Sequence, residues 1–206
     1  SVFLFGFSFD VDSATINVPS DYPTIQAAID AAIDGDAINI DAGTYAENIA
    51  INGKTNLLIQ GIGDATIIEP INGIGFAITN SNFITIKNLK IHTTGTNAHS
   101  VWVGGSSSGN SAMSGLTVQD TTIIVDGYSS GIYGAHSNPA HSNWVIGGIG
   151  HGNTITINSG AGVTGDGLDL YDVSASEVSY NDITLNNPTA STNVLWFSEL
   201  SNLNNL

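Results

Sequence analysis

Phe83-Ile-Thr-Ile-Lys-Asn-Leu-Lys-Ile91, Leu116-Thr-Val-Gln-Asp-Thr-Thr-Ile-Ile124, Asn153-Thr-Ile-Thr-Ile157 and Glu177-Val-Ser-Tyr-Asn-Asp-Ile-Thr-Leu185 are near-repetitions of one another. Each alternates β-branched or aliphatic residues with polar ones, is interrupted by Asn, Asp or Gly, and recurs every ~25 to 35 residues, the spacing of stacked repeat architectures. The pattern predicts a coil of stacked rungs. In such a solenoid, function sits on columns of exposed residues running up one side rather than in a pocket between domains.

Composition narrows the function classes. With 206 residues, 41% of them hydrophobic, the chain can bury one sizeable core, and a single domain is expected. It has 3 Lys and no Arg against 18 Asp plus Glu, a formal charge of −15, so it has almost nothing with which to neutralise phosphates. Nucleic acid and anionic membrane surfaces are therefore poor candidate partners. The polar surface is carried by Asn, Thr, Ser and Gly, which suits turns, side-chain ladders and contacts to cations or sugars. The absence of Cys excludes disulfides and thiolate metal sites. No stretch reaches the ~20 apolar residues of a membrane span.

The first segment, residues 1–14, lacks a basic n-region. Read as a strand, it places Phe3, Phe5, Phe7, Phe9 and Val11 on one face. Burying five such groups is worth ~10 kcal/mol, so this face is expected to cap the coil or to insert into a neighbouring subunit as an assembly strand. Residues 15–206 are expected to form the solenoid.

The most legible element follows. Ile25, Ala28, Ile29 and Ala32 fall at i, i+3, i+4 and i+7, with Thr24 as N-cap after Pro23 and Gly35 beyond the end, which predicts a short amphipathic helix. Ala37-Ile-Asn-Ile40, Ile49-Ala-Ile51 and Asn56-Leu-Leu-Ile-Gln-Gly61 continue as short strands separated by polar turns. A helix over the first rung would shield an open end of the core.

Val18-Pro-Ser-Asp-Tyr-Pro-Thr-Ile-Gln-Ala-Ala-Ile-Asp-Ala-Ala32, Gly43-Thr-Tyr-Ala-Glu-Asn-Ile49 and Leu58-Ile-Gln-Gly-Ile-Gly63 resemble the opening of the right-handed parallel β-helix, or pectin-lyase-like, superfamily, in particular of pectin methylesterases. Gly165-Asp-Gly-Leu-Asp-Leu-Tyr-Asp-Val173 and Ser179-Tyr-Asn-Asp-Ile183 resemble repeats of uncharacterised secreted β-helix proteins. The resemblance implies an all-β, single-stranded right-handed parallel β-helix of about six rungs with a short N-terminal capping α-helix, and a secreted, extracellular or cell-surface location.

The same resemblance defines which catalytic groups to look for. Lyases of this fold use an Arg or Lys base beside Asp-bound calcium; this chain has no Arg, and Lys87 and Lys90 flank the apolar alternation of Ile84, Ile86, Leu89 and Ile91, with Lys54 its one other amine. The Asp, Arg and Gln residues of the methylesterases do not follow the matching opening. Glycosidases need two carboxyl groups and a supporting His. Gly150-His-Gly152 with Asp166 and Asp169 supplies these residue types, but in the reverse of the family's order and without its basic motif. His151, Asp166 and Asp169 are the residues to test for hydrolysis, and the balance leans against an enzyme.

Calcium is the one cofactor that the carboxylates admit, with Asp166, Asp169 and Asp172 as candidate oxygen ligands alongside Asp10 with Asp12 and Asp34 with Asp36. None forms a complete loop motif, and Asp beside Gly is a common turn former. His92, His99, His136, His141 and His151 lack zinc spacing and are expected in solvated turns.

Aligning the rungs by their inward apolar pairs produces a column. Val101 and Val103 face in with Trp102 out; Ile132 in with Tyr133 out; Leu168 and Leu170 in with Asp169 and Tyr171 out; Leu195 and Phe197 in with Trp196 out. Such a strip can stack on sugar rings or form the dry centre of a subunit interface; alternatively Trp144 or Trp196 turns inward. Asn88, Asn153 and Asn181 are expected to form ladders at rung corners. Two functions result: a non-catalytic extracellular structural or adhesive protein that self-assembles into a filament or sheath, or a secreted β-helix that binds or degrades polysaccharide.

Overall fold

Three of the four recurring stretches turn out to hold a corner as well as strands. In the computed structural model, which describes residues 13–71, 73–104, 112–135, 140–159, 165–186 and 193–198, Asn88, Asp120 and Tyr180 lie in the left-handed region with φ of 53°, 49° and 58°. Each divides its stretch into two strands that belong to different sheets. Asn and Asp tolerate this conformation better than other non-glycine residues, which is why they interrupt the alternation.

The first sheet stacks Thr15–Val18, Ala37–Ile40, Thr55–Gln60, Asn82–Lys87, Thr117–Gln119, Val145–Gly147 and Glu177–Ser179 in parallel. The second stacks Gly43–Tyr45, Thr66–Ile68, Lys90–Thr96, Thr122–Tyr128, Thr154–Asn158 and Asp182–Asn186. The third stacks Ile49–Asn52, Phe76–Thr79, Val101–Val103, Ile132–Gly134, Leu168–Tyr171 and Leu195–Ser198. The chain visits the three sheets in rotation, which makes a parallel β-solenoid, all-β but for the one short helix. It comprises about 4 turns rather than the six expected. Beyond Gly134 all three sheets gain further strands, but the links through residues 160–164 and 187–192 lie outside the described residues.

The interior is built from ladders of like residues. Ile16, Ile38, Ile59, Ile86, Val118, Ile146 and Val178 are successive partners in the first sheet. Ile68, Ile91, Ile123 and Ile155 do the same in the second, and Phe76, Val101, Ile132 and Leu168 in the third. Nearly all are fully buried, each contributing about 1.5–3 kcal/mol of apolar transfer. Trp144 joins this core, with no exposed surface. At the last turn the ladder opens: Ile183 and Leu185 are only partly covered.

Polar side chains hold the corners. Asn153 Nδ2 donates to Asn181 Oδ1 at 2.8 Å and to the Val118 carbonyl, while the Thr121 amide donates to Asn153 Oδ1. The expected ladder therefore includes Asn153 and Asn181 but not Asn88, whose side chain has been displaced by the left-handed turn; Leu89 and Thr121 occupy the inward position instead.

The helix spans Ile25–Ala31, with Ile25, Ala28 and Ile29 buried and the Thr24 hydroxyl accepting from the Ala27 amide. Glu47 completes the cap from the next rung, its two oxygens accepting from the Ile25 and Gln26 amides at 3.0 Å each. Lys54 Nζ donates to the Ala32 carbonyl at 2.6 Å at the other end. The outer edge of Thr15–Val18 is closed by a turn, in which Asn17 donates its amide to Asp21 and accepts the Asp21 amide at its carbonyl. The segment expected to be an assembly strand, with Phe3, Phe5, Phe7, Phe9 and Val11, lies outside the described residues.

Candidate functional site

The third sheet carries the outward column in register. Trp102 pairs with Tyr133, Tyr133 with Asp169, and Asp169 with Trp196; below Trp102 the same column continues as Ala77 and Ala50. Trp196 is 44% exposed, so of the two Trp residues that could turn inward, only Trp144 does. Asp169 is 9% exposed, held on the outer face but covered by its aromatic neighbours.

Close approach of successive turns makes the column tight. A Cβ on Gly131 would lie 2.6 Å from the Gly167 carbonyl oxygen, and one on Gly167 2.5 Å from the Val194 oxygen. No side chain larger than hydrogen fits at either place without moving the backbone that delivers Tyr133 and Asp169.

Two residues before the inward Val101 stands His99, which is not the solvated turn histidine expected from the sequence. Its ring stacks on Tyr133 with centroids 4.5 Å apart, and Tyr133 meets Tyr171 edge-on at 5.9 Å. The Ser130 amide donates to His99 Nδ1, with the Ser129 hydroxyl also in reach. Burial pushes the imidazole down to about 4, so near neutral pH it is uncharged with its proton on Nε2. Burial also raises the Tyr133 and Tyr171 phenols, and the Asp169 carboxylate adds to both shifts. Both hydroxyls therefore remain protonated and able to donate. Asp166 Oδ1 accepts from the Asn193 amide at 2.6 Å.

His99, Tyr133, Asp166, Asp169 and Tyr171 line one cavity of about 250 Å³. Asn97 at its rim also lines a larger groove of about 780 Å³, floored by Ala50 and Ala77 and walled by Ile71, Ile74 and Thr96. The two are neighbours on the third-sheet side of the coil, with Asn97 common to both linings.

The triplet His151, Asp166 and Asp169 is not assembled as a unit. Asp166 and Asp169 share the cavity, but His151 lies at the corner between the first and second sheets, exposed, with Nδ1 2.8 Å from Asp120 Oδ2. Asp172 lies past the end of Leu168–Tyr171 and is not among the cavity residues. Among the described residues, no group of three or more His, Asp or Glu side chains is placed to hold a metal ion. The solvated-turn expectation fails for His141 as well: it is fully buried, accepting from the Met113 amide and reaching the Ala135 carbonyl. One signal in the sequence pointed to His99. Extending the alignment behind Trp102, Tyr133 and Asp169 three residues upstream sets His99 level with Asp166.

No protein-family model, no curated protein and no solved structure matches the chain. Among the described residues no helix is long and apolar enough to cross a membrane.

Proposed function

We propose that the chain is a carbohydrate-binding β-solenoid that holds an extended glycan along the outer face of its third sheet. The observation that carries this reading is the unbroken outward ladder of Trp102, Tyr133, Asp169 and Trp196 beside the His99 and Tyr171 rings. Flat aromatic faces with adjacent hydroxyl, amide and carboxylate groups are what sugar rings require, an apolar face to stack on and polar partners at its edge. Two features favour binding over turnover: the chain has no Arg, and His151 is separated from Asp166 and Asp169. Kinship with the pectin-lyase-like superfamily and a right-handed coil belong to the same proposal, supported by the motifs of residues 16–70 and by the right-handedness of parallel crossovers in general. So does an extracellular or cell-surface location.

The test is affinity electrophoresis and calorimetry against a panel of soluble polysaccharides, with Trp102→Ala and Tyr133→Ala as variants. Retardation of the parent chain by at least one polymer, weakened about tenfold or more in each variant, is expected. Failure of every polymer to bind, or unchanged binding in both variants, overturns the reading. Release of reducing ends that disappears in Asp169→Ala would convert it into an enzyme.

Self-assembly into a filament or sheath is the second reading. It is favoured by the partial exposure of the inward Ile183 and Leu185 at the last described turn, where Ile155 and Ile123 are fully covered one and two turns earlier. Sedimentation of the full chain against one starting at Thr15 tests it; identical monomeric behaviour overturns it.

A further inference from the structure

At or just before the start of five neighbouring strands of the first sheet stands a residue in the left-handed region: Asn56, Phe83, Gly115, Asn143 and Ala175, with φ of 55°, 55°, 77°, 57° and 47°. The stack imposes this conformation, because the Phe83, Gly115 and Asn143 amides donate to the Ser114, Ser142 and Ser174 carbonyls, each immediately before the next such residue. Asn and Gly adopt it readily, whereas for a bulky aromatic it is a strained outlier. Nor does the core account for Phe83, which is 52% exposed. Its ring lies over Gly115, where an added Cβ would stand 2.4 Å from Phe83 Cδ1, so a larger residue there would displace the ring. Backbone strain that the surroundings enforce collects at binding sites, where the side chain it delivers has a use.

Phe83 lines a cavity of about 390 Å³, within the range of small-molecule sites, about 300–1,000 Å³. Leu58, Thr85 and Thr117, in register on three adjacent strands, line it too, together with the corner residues Asn56 and Asn143. None of the described lining residues is charged. An exposed aromatic face beside amides and hydroxyls suits a neutral sugar ring, whose C–H face stacks while its hydroxyls bond at the edge. Resting on the glycan-binding reading above, we infer that the Phe83 cavity is a second carbohydrate site, taking a neutral hexose unit, on a different sheet from Trp102 and Tyr133. Two sites on different sheets let one molecule hold two polysaccharide chains and cross-link them.

The experiment compares the full chain with Phe83→Asn, Phe83→Tyr and Tyr133→Ala, using glucan, mannan and galactan oligosaccharides in calorimetry and the parent polymers in turbidity. Phe83→Asn should raise the urea midpoint, since Asn accepts the left-handed backbone, while one of two binding sites weakens about tenfold or more. Phe83→Tyr, which keeps the aromatic face, should bind as the parent does. The parent chain should cross-link at least one polymer, and Phe83→Asn and Tyr133→Ala should each bind it without cross-linking. A lower urea midpoint in Phe83→Asn, unchanged binding stoichiometry in that variant, or loss of self-association there without any sugar effect overturns the second site and leaves the third-sheet reading standing. Binding abolished by Phe83→Asn and untouched by Tyr133→Ala keeps the Phe83 site and removes the third-sheet one. Absence of binding by every polysaccharide removes both.

Discussion

His99 lies against Tyr133 with ring planes inclined by 26°, while the Ser130 amide, from the turn that carries Tyr133, donates to its Nδ1. One histidine thus ties two successive turns together through a stack and a hydrogen bond, at the mouth of the cavity that also holds Asp166 and Asp169. The hydrogen bond requires the neutral ring, because a protonated Nδ1 cannot accept.

Acid should weaken the fold through His99 and His141. In each the folded-state pKa lies below the ordinary value near 6.5, His99 at about 4, so between those limits the unfolded chain binds more protons than the folded one. Stability is therefore full above about pH 6.5 and is lost as pH falls towards 4, by up to about 3 kcal/mol for His99. Urea midpoints measured across this range should fall with acidification, and His99→Phe, which keeps an aromatic ring on Tyr133, should flatten the slope. A midpoint independent of pH above 4 refutes the assignment.

Glu47→Ala should lower stability by about 1–2 kcal/mol, because two amides at the helix start lose their acceptor and the helix loses its tie to the following rung. The urea midpoint should fall with the slope unchanged.

Asn153→Ala should cost more, about 2–4 kcal/mol. It strands the Thr121 amide and the Val118 carbonyl in the core and removes the partner of Asn181. Asn186→Ala, at an exposed ladder position on the second sheet, should cost less than about 1 kcal/mol, and comparing the two by thermal unfolding separates buried from exposed rungs.

His151→Ala should leave both glycan binding and stability within about 0.5 kcal/mol of the parent, since its pair with Asp120 is exposed and lies on another face. A loss comparable to that of Tyr133→Ala would relocate the site.

What the amino-acid sequence determined alone is which residues face inward. Alternation sets the side of the sheet for Val101, Ile132 and Leu168, and therefore for Trp102, Tyr133 and Asp169 between and beside them, because a strand's side chains change face at every residue. The helix was legible for the same reason: its 3.6-residue period and the Thr24 cap are local properties. Tertiary structure alone decided what the corners and loops do. Asn88 reads like Asn153 in sequence, yet Asn88 takes up a left-handed turn outside the ladder while Asn153 sits within it and accepts the Thr121 amide. His99 and His151 are equally plain histidines flanked by small or polar residues. Only the stacking of turns joined by loops of unequal length brings the first to Tyr133 and Asp166 and carries the second round the coil to Asp120, because register between turns is set by hydrogen bonds across the stack and not by distance along the chain.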